Sequence, residues 1–279
     1  MAGARYPRIV RLAILAILFV GAMWLLVRLM QPSMAFFPMR GIQRTPDAFG
    51  LQYETLQIET ADGVRLHGWW MPHPSPRAQV VYWHGNGGNL ALWLDVLADI
   101  RQRGFSVLAV DYRGYGDSEG SPSEQGIYRD AEAANVYYRE HLHRSDTPTI
   151  YWGRSLGASV ASRAAADDRP DAVILESPFP DVRFLFRRNP IMLPLTYLGS
   201  YRFPTAEHLE RYQGPLLVIH GDADSIIPFA AGQRVFERAA TSNKTFAVLE
   251  GADHNDMHAR HGDYWPAVER FVDVLRQSR

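Results

Sequence analysis

The pentapeptide Gly153-Arg154-Ser155-Leu156-Gly157 decides the fold that we predict for this chain. An apolar run at 149–152 precedes it, and an alanine-rich segment at 158–166 follows it. This order predicts a strand, a tight turn and a helix, with Ser155 at the apex of the turn. The two glycines allow strand and helix to approach closely. The pattern indicates a serine nucleophile that hydrolyses acyl bonds, with the backbone N–H of Leu156 directed at the reacting carbonyl group.

The same Gly-x-Ser-x-Gly spacing occurs a second time, at 116–120. A strand-like run also precedes Ser118, but the residues that follow, Ser121-Pro122-Ser123, are typical of a loop. Asp117 and Glu119 flank this serine, and their negative charges oppose the charge that a nucleophilic oxygen develops. We therefore interpret Ser118 as part of a polar turn.

The composition is that of one globular domain, with 279 residues, 47% of them hydrophobic and 21% charged. The net charge is −1 and no basic run is present, so nothing indicates a nucleic-acid partner. The absence of cysteine excludes disulfides, thiolate metal sites and a thiol nucleophile. We predict an enzyme that uses neither a metal ion nor a cofactor.

Residues 9–30 form a long apolar stretch, and its uncharged central part at 12–27 lies between Arg11 and Arg28. As a helix it would measure about 33 Å, which is enough to cross the hydrocarbon core of a bilayer. We predict a transmembrane anchor at 1–30, with the bilayer as its partner. A cleaved signal peptide is the main alternative, although its apolar region is usually shorter and Ser33-Met34-Ala35 is a mediocre cleavage site. A buried core helix is a second alternative, but such helices are seldom apolar on every side.

The charges beside this stretch barely determine its orientation, because three arginines lie on each side: Arg5, Arg8, Arg11, Arg28, Arg40 and Arg44. Their proximity and the free amino group slightly favour a cytoplasmic N-terminus, which places the catalytic domain outside the cytoplasm. Lys244 is the single lysine among 29 basic residues, a bias typical of GC-rich bacterial genomes. We therefore expect a single-pass protein of the bacterial inner membrane.

After a proline-containing juxtamembrane linker at 31–50, the catalytic domain is predicted to extend over 51–279. A hairpin around Asp62-Gly63 is predicted to join strands at 51–59 and 64–71. Further strands are predicted at 79–83, 106–111, 149–152, 172–176, 216–220 and 245–249, and helices at 90–103, 126–142, 158–166, 229–240 and 264–277. Continuous apolar runs between helices indicate a buried, mostly parallel sheet. The aromatic-rich segment 181–212 interrupts the alternation and is predicted to form a small cap.

A serine nucleophile needs a histidine base that a carboxylate orients. One strand-like run leads into a loop with Asp222 and Asp224, and the next leads to His254. Because the carboxyl ends of parallel strands meet at one edge of the sheet, we predict that Ser155, Asp224 and His254 converge there. Asp224 is preferred to Asp222, since an aspartate so close to a strand end often caps local N–H groups.

Other polar residues near this edge have alternative interpretations. Glu176 ends a predicted strand and is a more distant candidate for the acid. Four further histidines are interpreted as structural: His84, His220, His258 and His261. The first two begin glycine-containing turns, and the last two are expected in a solvated approach to the final helix.

The loop His84-Gly85-Asn86-Gly87-Gly88-Asn89 follows a predicted strand, and its glycines let the backbone expose N–H groups. We predict that it supplies the second donor of an oxyanion hole, from the N–H of Asn86 or else of Gly87, beside that of Leu156. A phosphate-binding loop is the alternative, but the Lys-Ser/Thr pair of a P-loop and the full dinucleotide fingerprint are missing.

Five motifs in order resemble the α/β-hydrolase superfamily: His-Gly-Asn-Gly-Gly-Asn at 84–89, Asp-Tyr-Arg-Gly-Tyr-Gly at 111–116, the pentapeptide at 153–157, His-Gly-Asp-Ala-Asp at 220–224 and Gly-Ala-Asp-His-Asn-Asp at 251–256. They are most similar to small membrane-anchored members of the superfamily, the serine-aminopeptidase-like (lysophospholipase-like) hydrolases and the protein depalmitoylases. The segment Phe36-Phe37-Pro38 also resembles these members. The resemblance implies an α/β-hydrolase fold and a triad of Ser155, Asp224 and His254 in the chain order of that fold.

The resemblance further implies hydrolysis of esters, thioesters or amides, and the anchor favours an acylated or lipid-like substrate. A serine aminopeptidase-type amide hydrolase is one alternative. The other is a non-catalytic membrane scaffold with a hydrolase fold, whose signature would be a missing member of the triad; all three are present.

Overall fold

The computed structural model describes residues 7–260 and 262–277. Its strands are β1 (Phe37–Pro38), β2 (Glu54–Glu59), β3 (Arg65–Met71), β4 (Ala78–Trp83), β5 (Gly87–Gly88), β6 (Phe105–Val110), β7 (Thr149–Arg154), β8 (Ala172–Glu176), β9 (Leu216–Gly221) and β10 (Lys244–Leu249). Its helices are α1 (Arg8–Ala35), α2 (Leu94–Gln102), α3 (Glu124–Tyr137), α4 (Leu156–Asp168), α5 (Val182–Phe186), α6 (Met192–Leu198), α7 (Thr205–Leu209), α8 (Phe229–Arg238), α9 (Met257–Arg260) and α10 (Tyr264–Gln277). A 3₁₀ turn at Pro46–Phe49 and a π-helical turn at Tyr138–Leu142 complete the described elements.

Eight of the strands form one sheet in the order β10-β9-β8-β7-β4-β6-β3-β2. The hairpin β2–β3 and the pair β3–β6 are antiparallel, and all other neighbours in this sheet are parallel. The chain moves outward from β4 first to β6 and then, in the opposite direction, to β7. Ligand sites of open α/β sheets form at the carboxyl ends of strands beside such a reversal.

The five inner parallel strands β4, β6, β7, β8 and β9 are buried at every position. Helices cover both faces of the sheet, so alternate residues enter two separate cores. Val81 and Leu108 pack on one face, whereas Val80 and Val107 pack on the other. The predicted α/β-hydrolase architecture, a mostly parallel sheet between two helical layers, is confirmed.

Two helix starts differ from the prediction for local reasons. Helix α2 begins at Leu94 and not at 90, because the N–H groups of Leu92 and Trp93 donate to the carbonyl oxygen of Asn89 and form a turn. Helix α3 begins at Glu124 and not at 126, because the hydroxyl of Ser123 caps it.

Helix α1 extends past the predicted anchor at 1–30 into the predicted linker at 31–50, and the segment after the helix is attached to the domain. The helix continues through Pro32 to Ala35, although proline supplies no N–H to the preceding turn. Beyond it, Phe36 is buried and β1 pairs in parallel with β5. The length of α1, 28 residues, and its apolar composition suffice to cross a bilayer, and its most apolar part is not buried.

The predicted cap at 181–212 divides into two parts. Helices α5 and α6 lie over the carboxyl edge of the sheet, whereas α7 is largely buried and packs against α4 and α8. Leu209 and Tyr212 therefore belong to the core. We use the word cap below for residues 182–203 only.

Candidate active site

Ser155 occupies a strained turn between β7 and α4, with φ 54° and ψ −114°. Left-handed backbone of this kind is costly for a residue with a side chain and is concentrated at functional sites. A Cβ on Gly153 would lie 2.0 Å from the carbonyl oxygen of Gly157, and one on Gly157 would lie 1.9 Å from that of Trp83. Only glycine fits at these two positions, so the pentapeptide forms the turn that we predicted.

Ser118 lies in a different environment. It is buried, its hydroxyl donates to the carbonyl oxygen of Asp111 at 2.7 Å, and it accepts from the N–H of His67 at 2.9 Å. Both hydrogen-bonding roles of the hydroxyl therefore serve to join two backbone segments. This geometry agrees with the interpretation of Ser118 as a structural residue.

The two other predicted triad residues are in direct contact. His254 Nδ1 donates to Asp224 Oδ2 at 2.8 Å, and Ser177 Oγ donates to the same oxygen at 2.7 Å. The other carboxylate oxygen accepts the N–H groups of Ile226 and Ile227 at 3.0 and 2.7 Å. The carboxylate is thus fixed by four hydrogen bonds, and it fixes the orientation of the imidazole in turn.

Asp224 is held in its ionised form. Burial alone would raise its pKa, but the neighbouring imidazoles of His220 and His254 outweigh burial and keep the pKa of Asp224 well below its usual range. A carboxylate facing Nδ1 of His254 favours the tautomer with the proton on Nδ1, which leaves Nε2 able to accept a proton.

Asp222, the alternative candidate for the acid, is exposed and bonds to a backbone group outside the triad. Its Oδ1 accepts the backbone N–H of Gly251 at 2.6 Å. This bond ties together the loops that follow β9 and β10, which is the capping role expected of an aspartate next to a strand end.

Ser155 and His254 line one cavity of about 570 Å³ at the carboxyl edge of the sheet. Leu156 and Asn86, the two predicted oxyanion donors, line it as well. Many of the other side chains in its wall are apolar and come from the end of α1, from β1, from the cap and from the loop after β9: Val27, Met34, Phe37, Val182, Leu185, Phe186, Met192, Leu195, Ile226 and Ile227. Its described wall contains no aspartate, glutamate, lysine or arginine. Such a cavity suits a hydrocarbon chain.

The loop that carries Asn86 is anchored on both sides. Tyr115 Oη donates to the backbone and side-chain oxygens of Asn86 at 3.0 and 2.9 Å, while Asn86 Nδ2 donates to the carbonyl oxygen of Ala35 at 2.7 Å. Trp93 Nε1 donates to the carbonyl oxygen of Gly87 at 2.9 Å. These bonds hold the loop rigidly beside the start of α4.

A buried polar network lies under the site, and the sequence analysis missed it. Glu176 accepts hydrogen bonds from Tyr264 Oη at 2.7 Å, from His258 Nε2 at 2.9 Å and from Trp152 Nε1. The expectation that His258 lies in solvent is wrong, since its side chain is only 9% exposed. Glu176 is thus committed to this network and is not the acid that faces His254; His261 lies outside the described residues.

Arg154, to which the sequence analysis assigned no role, connects this network to the site. Its guanidinium donates through Nη2 to the carbonyl oxygen of His254 and lies 5.1 Å from the ring centre of Trp93. Its Nε is 3.9 Å from Glu176 Oε2. The residue beside the nucleophile therefore holds the backbone of the histidine, a contact across about a hundred residues that no local pattern could reveal.

The histidines at 84 and 220 are structural, in agreement with their interpretation. His84 Nδ1 donates to the carbonyl oxygen of Gly85 at 2.7 Å, and burial lowers its pKa although the charge of Asp111 opposes this. His220 Nε2 donates to the carbonyl oxygen of Ile227 at 2.9 Å, which closes the loop around Asp224.

Replacement of Glu176 by glutamine is expected to destabilise the fold by about 3 kcal/mol at neutral pH, because it breaks a buried charge network. Burial alone would raise the pKa of Glu176, but His258 and Arg154 lower it from 4.5 to about 2. A carboxylate whose pKa is lowered on folding stabilises the fold above its unfolded-state value, and this contribution disappears as the pH falls toward 2. The difference between wild type and variant should therefore shrink between about pH 4.5 and 2.

Urea unfolding at several pH values measures this effect, with the substitution of the exposed Glu54 by glutamine as the control. A Glu176 variant whose stability deficit is the same at pH 7 and pH 3 would contradict the assignment of a buried, ionised carboxylate.

Comparison with known proteins identifies the family. Residues 74–206 and 204–259 match the model of the serine aminopeptidase S33 family. The chain is 33% identical over 245 residues to an uncharacterized protein of Mycobacterium tuberculosis, covering 87% of each chain. It is 31% identical over 255 residues to an uncharacterized membrane protein of Saccharomyces cerevisiae, covering 88% of each.

A relative with a named activity and a solved structure agree with this result. The chain is 31% identical over 225 residues to the lysophosphatidylserine lipase ABHD12 of Mus musculus, covering 73% of this chain and 56% of that protein. It therefore spans little more than half of the length of that relative. An esterase of Pyrococcus furiosus superimposes with a TM-score of 0.70 at 21% identity, covering 86% of this chain and 99% of the esterase, and shares the fold. From its sequence and its fold alike, the chain belongs to the serine aminopeptidase S33 family of the α/β-hydrolase superfamily.

Proposed function

We propose that this protein is a membrane-anchored serine hydrolase that cleaves carboxylic ester, thioester or related acyl bonds through a triad of Ser155, Asp224 and His254. One observation carries the proposal: a strained serine and a carboxylate-bound histidine line the same apolar cavity. The hydrolase family and the named lipase and esterase among the similar proteins support an acyl substrate.

The reaction would proceed in two halves. Ser155 Oγ attacks the acyl carbonyl carbon while His254 Nε2 takes the hydroxyl proton, and the backbone N–H groups of Leu156 and Asn86 stabilise the oxyanion. Collapse of this intermediate breaks the bond to the leaving group, which receives the proton from Nε2 and leaves an acyl-enzyme. Water, deprotonated by His254, then attacks the acyl-enzyme, and the acid is released as Ser155 regains its proton. Asp224 stabilises the imidazolium that forms in each half.

An aminopeptidase activity, which the name of the family suggests, is less well supported by the cavity. A substrate with a free amino group needs an acidic or otherwise polar partner, because an unpaired charge is costly to bury. The described wall of the cavity supplies no carboxylate for this purpose. Lysophospholipid-like or other single-chain acyl substrates fit it better.

A panel of p-nitrophenyl esters of increasing chain length, with an acyl thioester and an aminoacyl amide beside them, tests the proposed chemistry. We expect hydrolysis of esters or thioesters, with little or none of the amide. Amide hydrolysis that exceeds ester hydrolysis would support the aminopeptidase alternative, and inactivity toward all of them together with no labelling by a fluorophosphonate would support a scaffold.

We further propose that α1 anchors the protein in a membrane. The proposed membrane is a bacterial inner membrane, with the catalytic domain outside the cytoplasm. The full-length protein is expected to stay in the membrane fraction after carbonate extraction, whereas a variant without residues 1–30 is extracted. This variant should still cleave short esters, since all the proposed catalytic residues lie in the sheet-bearing domain, and should lose more activity on bilayer-resident substrates. Release of the full-length protein by carbonate would contradict the anchor.

A further inference from the structure

One face of helix α1 is partly covered by the rest of the protein. Its half-buried positions include Met23, Val27, Gln31 and Ala35, whose spacing of four residues places them on one side of the helix. The last three, together with Met34, line the same cavity as Ser155 and His254. The end of this helix is therefore a wall of the candidate active site.

The contacts around this wall are specific. Gln31 Oε1 accepts the backbone N–H of Ser200 at 2.9 Å and its hydroxyl at 3.1 Å, which joins α1 to the cap. Asn86 Nδ2 donates to the carbonyl oxygen of Ala35, and β1 pairs with β5 immediately afterwards. The helix is thus fixed to the cap on one side and to the loop with the proposed oxyanion donor on the other. A helix that served as a tether alone would need neither contact.

If α1 is the proposed anchor, Trp24 and Arg28 mark the bilayer surface. Arg28 lies 5.1 Å from the ring centre of Trp24, and this pair of residue types is typical of the boundary between the hydrocarbon core and the head groups. Val27 occupies the same turn, at the end of the cavity that is distant from β1. From Val27 to Ala35 the helix rises about 12 Å, so the cavity extends from the membrane surface toward Ser155.

The cap has the composition of a surface that contacts lipid. Ile191 and Tyr197 are 74% and 63% exposed, while Leu185 and Met192 line the cavity from the other side. Residues 182–203 contain four arginines and no acidic residue. Exposed apolar side chains beside cationic ones suit insertion among anionic head groups.

We propose that α1 and the cap together form an acyl-chain site, which receives the hydrocarbon tail of a single-chain acyl substrate directly from the bilayer. The tail lies along the face of α1 from Val27 to Met34, and its carbonyl carbon reaches Ser155. This site rests on the proposed hydrolase function and on its single-chain acyl substrates, and adds to them the place of the acyl chain and its route from the bilayer. The anchor is then a part of the binding site as well as an attachment to the membrane.

Truncation of the anchor removes the wall and the attachment together, so single substitutions in the full-length protein are the better test. Val27→Trp fills the cavity at its membrane end, and Leu26→Trp adds the same side chain to the exposed face one residue away. We expect the ratio of kcat/KM for p-nitrophenyl palmitate to that for the butyrate to fall about tenfold in the first variant, the effect of about two methylene groups left unburied. The second variant should keep the wild-type ratio. Equal ratios in all three proteins would overturn the acyl-chain site.

A photoreactive probe separates this proposal from the hydrolase function. A fluorophosphonate with a sixteen-carbon chain and a terminal diazirine is expected to label Ser155 and, after irradiation, to crosslink to α1 or to the cap. Labelling of Ser155 with crosslinks only elsewhere would overturn the acyl-chain site and leave the hydrolase intact. A folded protein that the probe does not label at Ser155 and that hydrolyses no ester would overturn both the acyl-chain site and the hydrolase function.

Discussion

Replacement of Ser155 by alanine is expected to lower kcat for ester hydrolysis by four to six orders of magnitude and to abolish labelling by a fluorophosphonate. Alanine removes the proposed nucleophilic oxygen, and the proposed oxyanion donors that remain accelerate the direct attack of water only slightly in comparison. Because serine and alanine differ by a single oxygen atom, the fold should persist. Initial rates with p-nitrophenyl butyrate and gel-based labelling of the same preparations measure both effects.

The matched control is the serine of the other Gly-x-Ser-x-Gly segment. Ser118→Ala should retain labelling and activity per folded molecule, but it should lose about 1–3 kcal/mol of stability, because the N–H of His67 loses its acceptor. Labelling that survives in the Ser155 variant and is absent from the Ser118 variant would reverse the two assignments.

The distinction between these two serines was predictable because it depends on local sequence. A strand, a serine between glycines and a helix-forming segment follow one another at 149–166, whereas Ser118 is followed by a proline-containing loop. The inner strands were predictable for a similar reason. A strand that is buried on both faces is apolar at almost every position, and such runs are conspicuous between amphipathic helices.

The network under the site was not predictable, since it joins residues that are far apart in sequence. Glu176 meets His258 and Tyr264, which come from the short helix α9 and the final helix. His258 follows a polar loop, and its sequence neighbours give no sign that it is buried. Burial of this kind depends on how α9 packs against β8, which is a property of the tertiary structure.

Helix α1 continues beyond the predicted boundary at residue 30, although Pro32 lies within the added turn. Pro32 lacks the N–H that would donate to the carbonyl oxygen of Arg28, but the turn after it forms, and the N–H of Phe36 donates to the carbonyl oxygen of Pro32 at 3.0 Å. The helix continues to Ala35, where the loop at Asn86 binds its carbonyl oxygen. Composition alone could therefore predict a membrane span, but it could not predict that this helix forms part of the candidate site.

The second large effect on activity is expected from substitution of the proposed triad acid, Asp224. Asp224→Asn is expected to lower kcat by about four orders of magnitude near neutral pH, because an amide cannot stabilise the imidazolium and can present an N–H to Nδ1 of His254. The amide oxygen can still accept the N–H groups of Ile226 and Ile227, so the loop should keep its shape. Thermal unfolding of the variant checks that the fold is preserved.

The paired substitution Asp222→Asn should leave kcat within about threefold of wild type, since surface substitutions away from the reacting groups have small effects. Asparagine retains an oxygen that can accept the N–H of Gly251, and this side chain is exposed. Comparison of kcat/KM for a short ester in both folded variants decides between the aspartates. If Asp222→Asn is the more damaging substitution, the acid of the triad is Asp222, and the hydrogen bond of 2.8 Å between Asp224 and His254 has a structural role only. The expected order follows from burial, because the buried, ionised carboxylate of Asp224 interacts with the imidazole far more strongly than a solvated one would.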